Sequence, residues 1–234
     1  MSQRYFVTGT DTEIGKTTIA AGLLHAARLR GLTTAAVKPV AAGCESTAAG
    51  LRNDDALTLQ AECLPPLDYD LLNPVALAPP IAPHIAAREA GLTLTAAQLA
   101  AACNKVFEQG ADLTLVEGAG GWRVPLNDRQ TLADLAIELN IPVILVVGLR
   151  LGCINHALLT AEAIAADGLQ LAGWVANQVD PQMDRQQHNL QTLQALLPAP
   201  CLGVVPRIEP LGSATVAAHL QLDALLAPTS GMSS

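Results

Sequence analysis

The sequence predicts an α/β protein in which a doubly wound, mostly parallel sheet is flanked by helices, and three observations carry that prediction. Half of the 234 residues are hydrophobic but only 3% are aromatic, so the core is built from Ala, Leu and Val, the filling of a sheet covered on both faces. Short aliphatic runs bounded by turn residues recur along the chain. Helix-like stretches, several opened by Ser, Thr, Asn or Asp, fall between them, and that alternation specifies a doubly wound sheet.

The aliphatic runs lie at residues 5–8, 34–37, 113–116, 142–147, 172–176 and 201–205, and predict six parallel strands. Helical stretches are expected at 17–29, 95–107, 131–139, 154–166 and 183–197. Residues 65–83 carry six prolines and read as a long surface loop with at most a short strand near Val75. No internal repeat interrupts the chain. Its length predicts one domain over residues 1–228, and the Ser-containing end at 229–234 reads as a disordered tail.

The formal charge of −8, with only thirteen scattered Lys and Arg residues, argues against a nucleic-acid partner, which needs clustered cations. The five cysteines are odd in number and contain no CxxC pair, fitting reduced thiols better than disulfides or a metal knuckle. The chain enters its first strand at Tyr5 without the regions of a secretory signal. Its longest apolar run, 141–149, contains Pro142 and Gly148 and is far shorter than the roughly 20 residues a membrane helix needs. A cytoplasmic protein with no membrane partner is expected.

The first strand runs into Gly9-Thr10-Asp11-Thr12-Glu13-Ile14-Gly15-Lys16-Thr17-Thr18, and the first helix follows directly. That is the setting of a phosphate cradle: glycines turn backbone N–H groups toward a polyphosphate and the helix N-terminus adds partial positive charge. Lys16 is then placed to reach phosphate oxygens and Thr17 to ligate Mg²⁺. Five residues rather than four separate Gly9 from Gly15, so the loop is a long variant. An ordinary strand-to-helix turn is the competing reading, and strand, glycines, Lys and Thr together outweigh it. The sheet is therefore expected to have the phosphate-binding-loop NTPase fold.

Other positions carry weaker signals. Lys38 follows the second strand at the sheet edge where doubly wound folds bind ligands, although position alone favours a solvated strand-end lysine. Glu117 ends the run 113–116 beside the flexible Gly118-Ala119-Gly120-Gly121 and reads as a Mg²⁺ ligand. Asp55 enters a short helix, where a first-turn acid favoured by the helix dipole is an equal reading. Asn177 follows the strand 172–176 and equally suits a turn. His84 lacks a partner carboxylate and is assigned no catalytic role, and the cysteines read as small core residues.

The stretch from Gly9 to Thr17 closely resembles the nucleotide loop of the dethiobiotin synthetase family, the longer spacing included. The resemblance continues through segments 37–40, 52–57, 83–84, 116–121, 151–156 and 173–177, in order along nearly the whole chain. It implies an ATP- and Mg²⁺-dependent ligase that closes a cyclic urea from 7,8-diaminononanoate (diaminopelargonate) and CO2, through a carbamate and its phosphoric anhydride. Lys38, Lys16 and Thr12 would be catalytic, with Thr12 and Lys38 also facing the substrate. Thr17, Asp55 and Glu117 would hold Mg²⁺. Nucleotide contacts would come from Glu13, Ile14, Gly15, Lys16, Thr17, Thr18, Gly118, Ala119 and Gly120.

The same resemblance places the base against Asn177 and Gln178, the latter standing where many relatives carry Asp, and against Pro206, Arg207 and Ile208. Gly152, Cys153, Ile154 and Asn155 would receive the substrate carboxylate across a homodimer interface; a plain strand-to-helix turn capped by Asn155 is the competing reading. Two positions depart from the family: Ala42 replaces a common hydroxyl residue, and Asn189 stands where many relatives have tyrosine.

Two other functions share this sheet. Partitioning and division-site ATPases have loops that begin Lys-Gly-Gly, which this loop does not, and they need a DNA surface or membrane tail. An amidotransferase-type cobyrinate synthetase needs a glutaminase domain for which 234 residues leave no room.

Overall fold

The computed structural model describes residues 2–226, so the tail expected at 229–234 lies outside the described residues. In chain order the elements begin β1 (Gln3–Gly9), α1 (Lys16–Leu29), β2 (Thr34–Val37), β3 (Val40–Ala42), β4 (Glu45–Thr47), β5 (Gly50–Arg52) and α2 (Asp54–Ala61). They continue with α3 (Tyr69–Leu72), β6 (Val75–Leu77), α4 (Pro83–Glu89), α5 (Ala96–Phe107), β7 (Leu113–Gly121), α6 (Leu132–Leu139) and β8 (Val143–Leu149). The last are α7 (Cys153–Ala166), β9 (Leu171–Gln178), α8 (Gln186–Leu196), β10 (Cys201–Val205), α9 (Ser213–Ala217) and α10 (Asp223–Leu226).

All six expected strands form one parallel sheet in the order β10-β9-β8-β1-β7-β2. The chain moves outward from β1 to β2, returns to β7 between them, then crosses β1 to β8 and continues to the other edge. That reversal opens a crevice at the C-terminal ends of β1, β7 and β8, where this architecture binds ligands. Alternate residues of each strand face opposite layers. Tyr5, Val7, Leu113, Leu115, Ile144 and Val146 pack under α1, α9 and α10. Phe6, Val116 and Val143 pack with α5 and α6, while Leu145, Val147 and Trp174 pack with α7 and α8.

Local signals set the element ends. Thr95 caps α5 by accepting from the Gln98 N–H at 3.2 Å, and Thr131 with Asp134 forms a capping box on α6, each satisfying helix N–H groups that lack partners. α8 starts at Gln186 rather than at 183 because Arg185 is left-handed, φ 54°. Asn177 and Gln178 lie inside β9 rather than after it.

The proline-rich stretch is a correction. The short strand expected near Val75 is present as β6, but the rest of residues 65–83 is not one loop: it holds α3, and Pro83 opens α4. Pro74, Pro79 and Pro80 sit between these elements, and Pro83 occupies the first helical turn, where a missing N–H costs nothing. β6 pairs with β3 in a separate two-stranded parallel sheet, and β4 pairs with β5 as a hairpin. Among the described residues no helix is long and apolar enough to cross a membrane.

Leu135 is fully buried in α6, on the layer away from α1. Leu135→Ala should lower the unfolding free energy by about 2–5 kcal/mol through lost burial and the cavity left behind. For a chain of this size each kcal/mol lowers Tm by about 2–4 °C. Calorimetry giving an unchanged Tm would mean that α6 closes over the gap.

Candidate active site

The loop between β1 and α1 takes its shape from two left-handed residues, Glu13 at φ 57° and Gly15 at φ 83°. Gly15 is the N-cap of α1, and a Cβ there would lie 2.3 Å from Asn177 Nδ2, so a side chain is excluded by both conformation and space. Asn177 reaches over from β9 and donates to the Ile14 carbonyl at 2.9 Å. Asp11 braces the loop from within: its Oδ1 accepts from the Thr12 N–H at 2.8 Å, its carbonyl accepts from Lys16 Nζ at 3.0 Å, and its Oδ2 pairs with Arg150.

Below the start of α1 lies a cluster fixed by sheet register. Val37 of β2 is opposite Val116, and Val7 of β1 is opposite Glu117, which brings Lys38 beside Glu117 on the α1 side. Lys38 Nζ donates to Glu117 Oε1 at 2.6 Å and to Asp55 Oδ2 at 2.9 Å. Thr17 donates to the same Glu117 oxygen at 2.7 Å. Asp55 arrives on α2, whose N-cap is Asn53. Lys38 is 4% exposed and Glu117 1%. Lys38 is thus not a solvated strand-end lysine, and Glu117 sits within β7 rather than at a strand tip, because β7 continues to Gly121.

Electrostatics follow from this burial. Desolvation pulls the Lys38 pKa down, but Glu117 and Asp55 outweigh it and hold the ammonium above its ordinary value. Burial pushes the Asp55 carboxyl up, and Lys38 overcomes that to leave it below the usual carboxylate range. Lys16 is lowered, chiefly by desolvation and with a contribution from Lys38. A buried charge is tolerated only with partners, and here two carboxylates share one ammonium.

The residues also fit a divalent cation. Glu117 Oε2 is buried with no hydrogen-bond partner among the described residues, a demand that a hard cation meets. Among the described residues no three His, Cys, Asp or Glu side chains gather as a metal site. An ion held by Thr17, Asp55 and Glu117 would therefore complete its shell with phosphate oxygens and water, the habit of Mg²⁺.

These groups line a cavity of about 720 Å³. It brings together Thr12, Glu13, Gly15, Lys16, Thr17, Thr18, Lys38, Asp55, Glu117, Ala119 and Gly120 of the expected site, with Ala42 as well. Gly120, at φ 63°, lets β7 pass close to Thr12: a Cβ there would lie 3.4 Å from Thr12 Oγ1. The remaining wall is Ala41, Pro80, Ile81, Ala82, Pro83 and Val124, which sequence reasoning missed. The pair Pro83-His84 was the available signal for it.

Other expected residues stand apart from this cavity. Gln178 donates to Gln186 at 2.7 Å, and residues 206–208 follow β10, with Ile208 packed on the α1-side core. Gly152 is the N-cap of α7 at φ 95°, so the cap is not Asn155, and Gly152, Cys153, Ile154 and Asn155 do not line the cavity of their own chain. Leu151 beside them is 91% exposed. Asn189 donates back to the Arg185 carbonyl. His84 leaves Nδ1 without a partner among the described residues, and four of the five cysteines are buried.

Comparison with known proteins agrees with this geometry. A family model described as an AAA domain matches residues 3–215. The "ATP-dependent dethiobiotin synthetase BioD" of Pseudomonas aeruginosa is 67% identical over 218 residues, covering 93% of this chain and 96% of the relative. The protein of that name from Cellvibrio japonicus is 59% identical over 222 residues, 95% of this chain and 97% of the relative. A solved structure, the MinC:MinD cell division protein complex of Aquifex aeolicus, matches with a TM-score of 0.58 at 14% identity over 94% of this chain and 88% of that one, and so shares the phosphate-binding-loop NTPase fold. With relatives of such identity matching nearly end to end, the chain belongs to the ATP-dependent dethiobiotin synthetase family.

Proposed function

We propose that the chain closes a cyclic urea from 7,8-diaminononanoate, CO2 and ATP, giving dethiobiotin, ADP and phosphate. The observation that carries this reading is the pair of ammonium groups, Lys16 and Lys38, lining one cavity with a nucleotide loop. One substrate amine attacks CO2 to form a carbamate with loss of a proton. A carbamate oxygen then attacks the γ-phosphorus as ADP leaves. The second amine attacks the carbamoyl carbon of that anhydride, phosphate departs with the C–O bond, and a second proton is lost.

The difficulty of this sequence is bringing two anions, carbamate and γ-phosphate, together. Catalysis then rests on positioning and charge neutralisation. Lys16 steadies the phosphate oxygens. Lys38, in the same cavity, draws in the carbamate and offsets charge as it meets the phosphorus, and Thr12 lies between nucleotide and carbamate. Thr17, Asp55 and Glu117 would hold Mg²⁺, which would supply further charge neutralisation at the phosphates. Asn177, Gln178, Pro206, Arg207 and Ile208 would contact the nucleotide base.

In this reading the substrate carboxylate binds at the start of α7 of a second copy in a homodimer. Gly152, Cys153, Ile154 and Asn155 open that helix; the Cys153 N–H already donates to the Arg150 carbonyl at 3.0 Å, and the other N–H groups of the turn with the positive end of a 14-residue helix suit an anion. A cytoplasmic setting fits the five free cysteines.

Purified chain with Mg²⁺-ATP and bicarbonate should release phosphate only when diaminopelargonate is added; hydrolysis stimulated by DNA or lipid without the diamine would favour a molecular switch instead. Lys38→Ala should lower kcat by roughly 100-fold or more, the scale of a lost group that stabilises transition-state charge, while ATP still binds in calorimetry. Lys16→Ala should weaken both binding and turnover. Near-normal turnover of Lys38→Ala at saturating substrates would remove that residue from the mechanism. The methyl ester of diaminopelargonate, keeping both amines, should raise KM by roughly 2- to 30-fold, the range of a helix-terminus interaction. Equal KM for acid and ester would eliminate the anchor on α7.

A further inference from the structure

Beneath the cavity, side chains that do not line it form one continuous chain of hydrogen bonds. The Asn53 N–H donates to Tyr69 Oη at 2.8 Å. Tyr69 donates in turn to Asn73 Oδ1 at 3.2 Å. Asn73 Nδ2 donates to the Lys38 carbonyl at 2.7 Å and to the Val75 carbonyl at 3.3 Å. Asn53, Tyr69, Asn73 and Lys38 are all buried, and only one orientation of the Asn73 amide satisfies both its neighbours.

At its other end the chain reaches Asp55. Asn53 Oδ1 accepts from the Ala56 N–H at 3.2 Å and caps α2, so the backbone around Asp55 is fixed by the residue that Tyr69 holds. The need for such a tether is visible in α2 itself, which buries only Ala56 and Leu59 of its eight residues. With apolar packing that thin, polar contacts carry a larger share in setting the helix's position. Buried polar networks with every member satisfied set geometry more sharply than apolar contact does. The Arg52 guanidinium, 4.1 Å from the Tyr69 ring centroid, covers the ring that carries the central hydroxyl.

We propose that Tyr69 and Asn73 are positioning residues that fix the separation of Lys38 and Asp55, and with it the cation site between α1, α2 and β7, without touching nucleotide or substrate. The inference rests on the reading above in which Asp55 helps hold Mg²⁺.

Tyr69→Phe in the full chain keeps the ring and removes the hydroxyl. Calorimetric binding of β,γ-methylene-ATP, titrated with Mg²⁺, should show half-saturation in Mg²⁺ raised roughly 3- to 30-fold, the scale of a lost outer-shell hydrogen bond. Binding of the analogue without metal should be unchanged, and kcat should fall while KM for ATP at saturating Mg²⁺ stays put. Asn73→Ala should do the same, and the double variant should be little worse than either single one because both break one chain. Leu135→Ala, destabilised but distant, should keep the normal Mg²⁺ titration. Tyr69→Phe with a lower Tm but an unshifted titration would overturn the proposal, as would an equal shift in Leu135→Ala. A wild-type chain that binds the analogue without regard to Mg²⁺ overturns the metal reading and this inference together.

Discussion

The buried contact of Lys38 with Glu117 is the constraint around which the rest of the site is arranged. Removing an ammonium and a carboxylate from water costs several kcal/mol for each ion, and a fold tolerates it only when further partners share the charge. Asp55 and Thr17 supply them. Those four groups arrive just after β2 and on β7, α2 and α1, so the cluster ties α2 to the central sheet. With two carboxylates against one ammonium, the cluster keeps an excess of negative charge beside Lys16 and the phosphate loop.

Sheet register makes the cluster possible. Parallel pairing puts Lys38 level with Glu117 through Val37 and Val116, and the alternation of strand side chains turns both toward α1. A slip of one residue would send the lysine into the α5–α6 layer, where Val37 and Val116 now sit. The phosphate loop is placed by the same sheet: β1 lies between β7 and β8 at the point of reversal, and Asn177 from β9 and Arg150 after β8 hold the loop from the side.

The six parallel strands and five principal helices were legible in the sequence because each rests on local signals: aliphatic runs, turn residues and caps such as Thr95 and Thr131. The nucleotide loop was legible for a related reason, since its glycines, Lys16 and Thr17 are contiguous. Residues 65–83 were not, because six prolines read as a break whereas the prolines fall at element boundaries. Their helix α3 is four residues long and has no periodicity to detect. The cavity wall at Pro80, Ile81 and Ala82 and the Tyr69–Asn73 link were hidden with it.

By itself, then, the sequence determined the sheet and the phosphate loop and, through resemblance, singled out Lys38, Asp55 and Glu117 as candidates, since all of these are carried by local pattern or contiguous motif. Only the tertiary structure decided that Lys38 is buried rather than solvated, that Glu117 lies within a strand, and that Gly152 rather than Asn155 caps α7. Burial and pairing depend on which strands lie side by side and on which distant segment covers them. Those are long-range contacts between residues such as Lys38 and Glu117, 79 positions apart, and no local pattern encodes them.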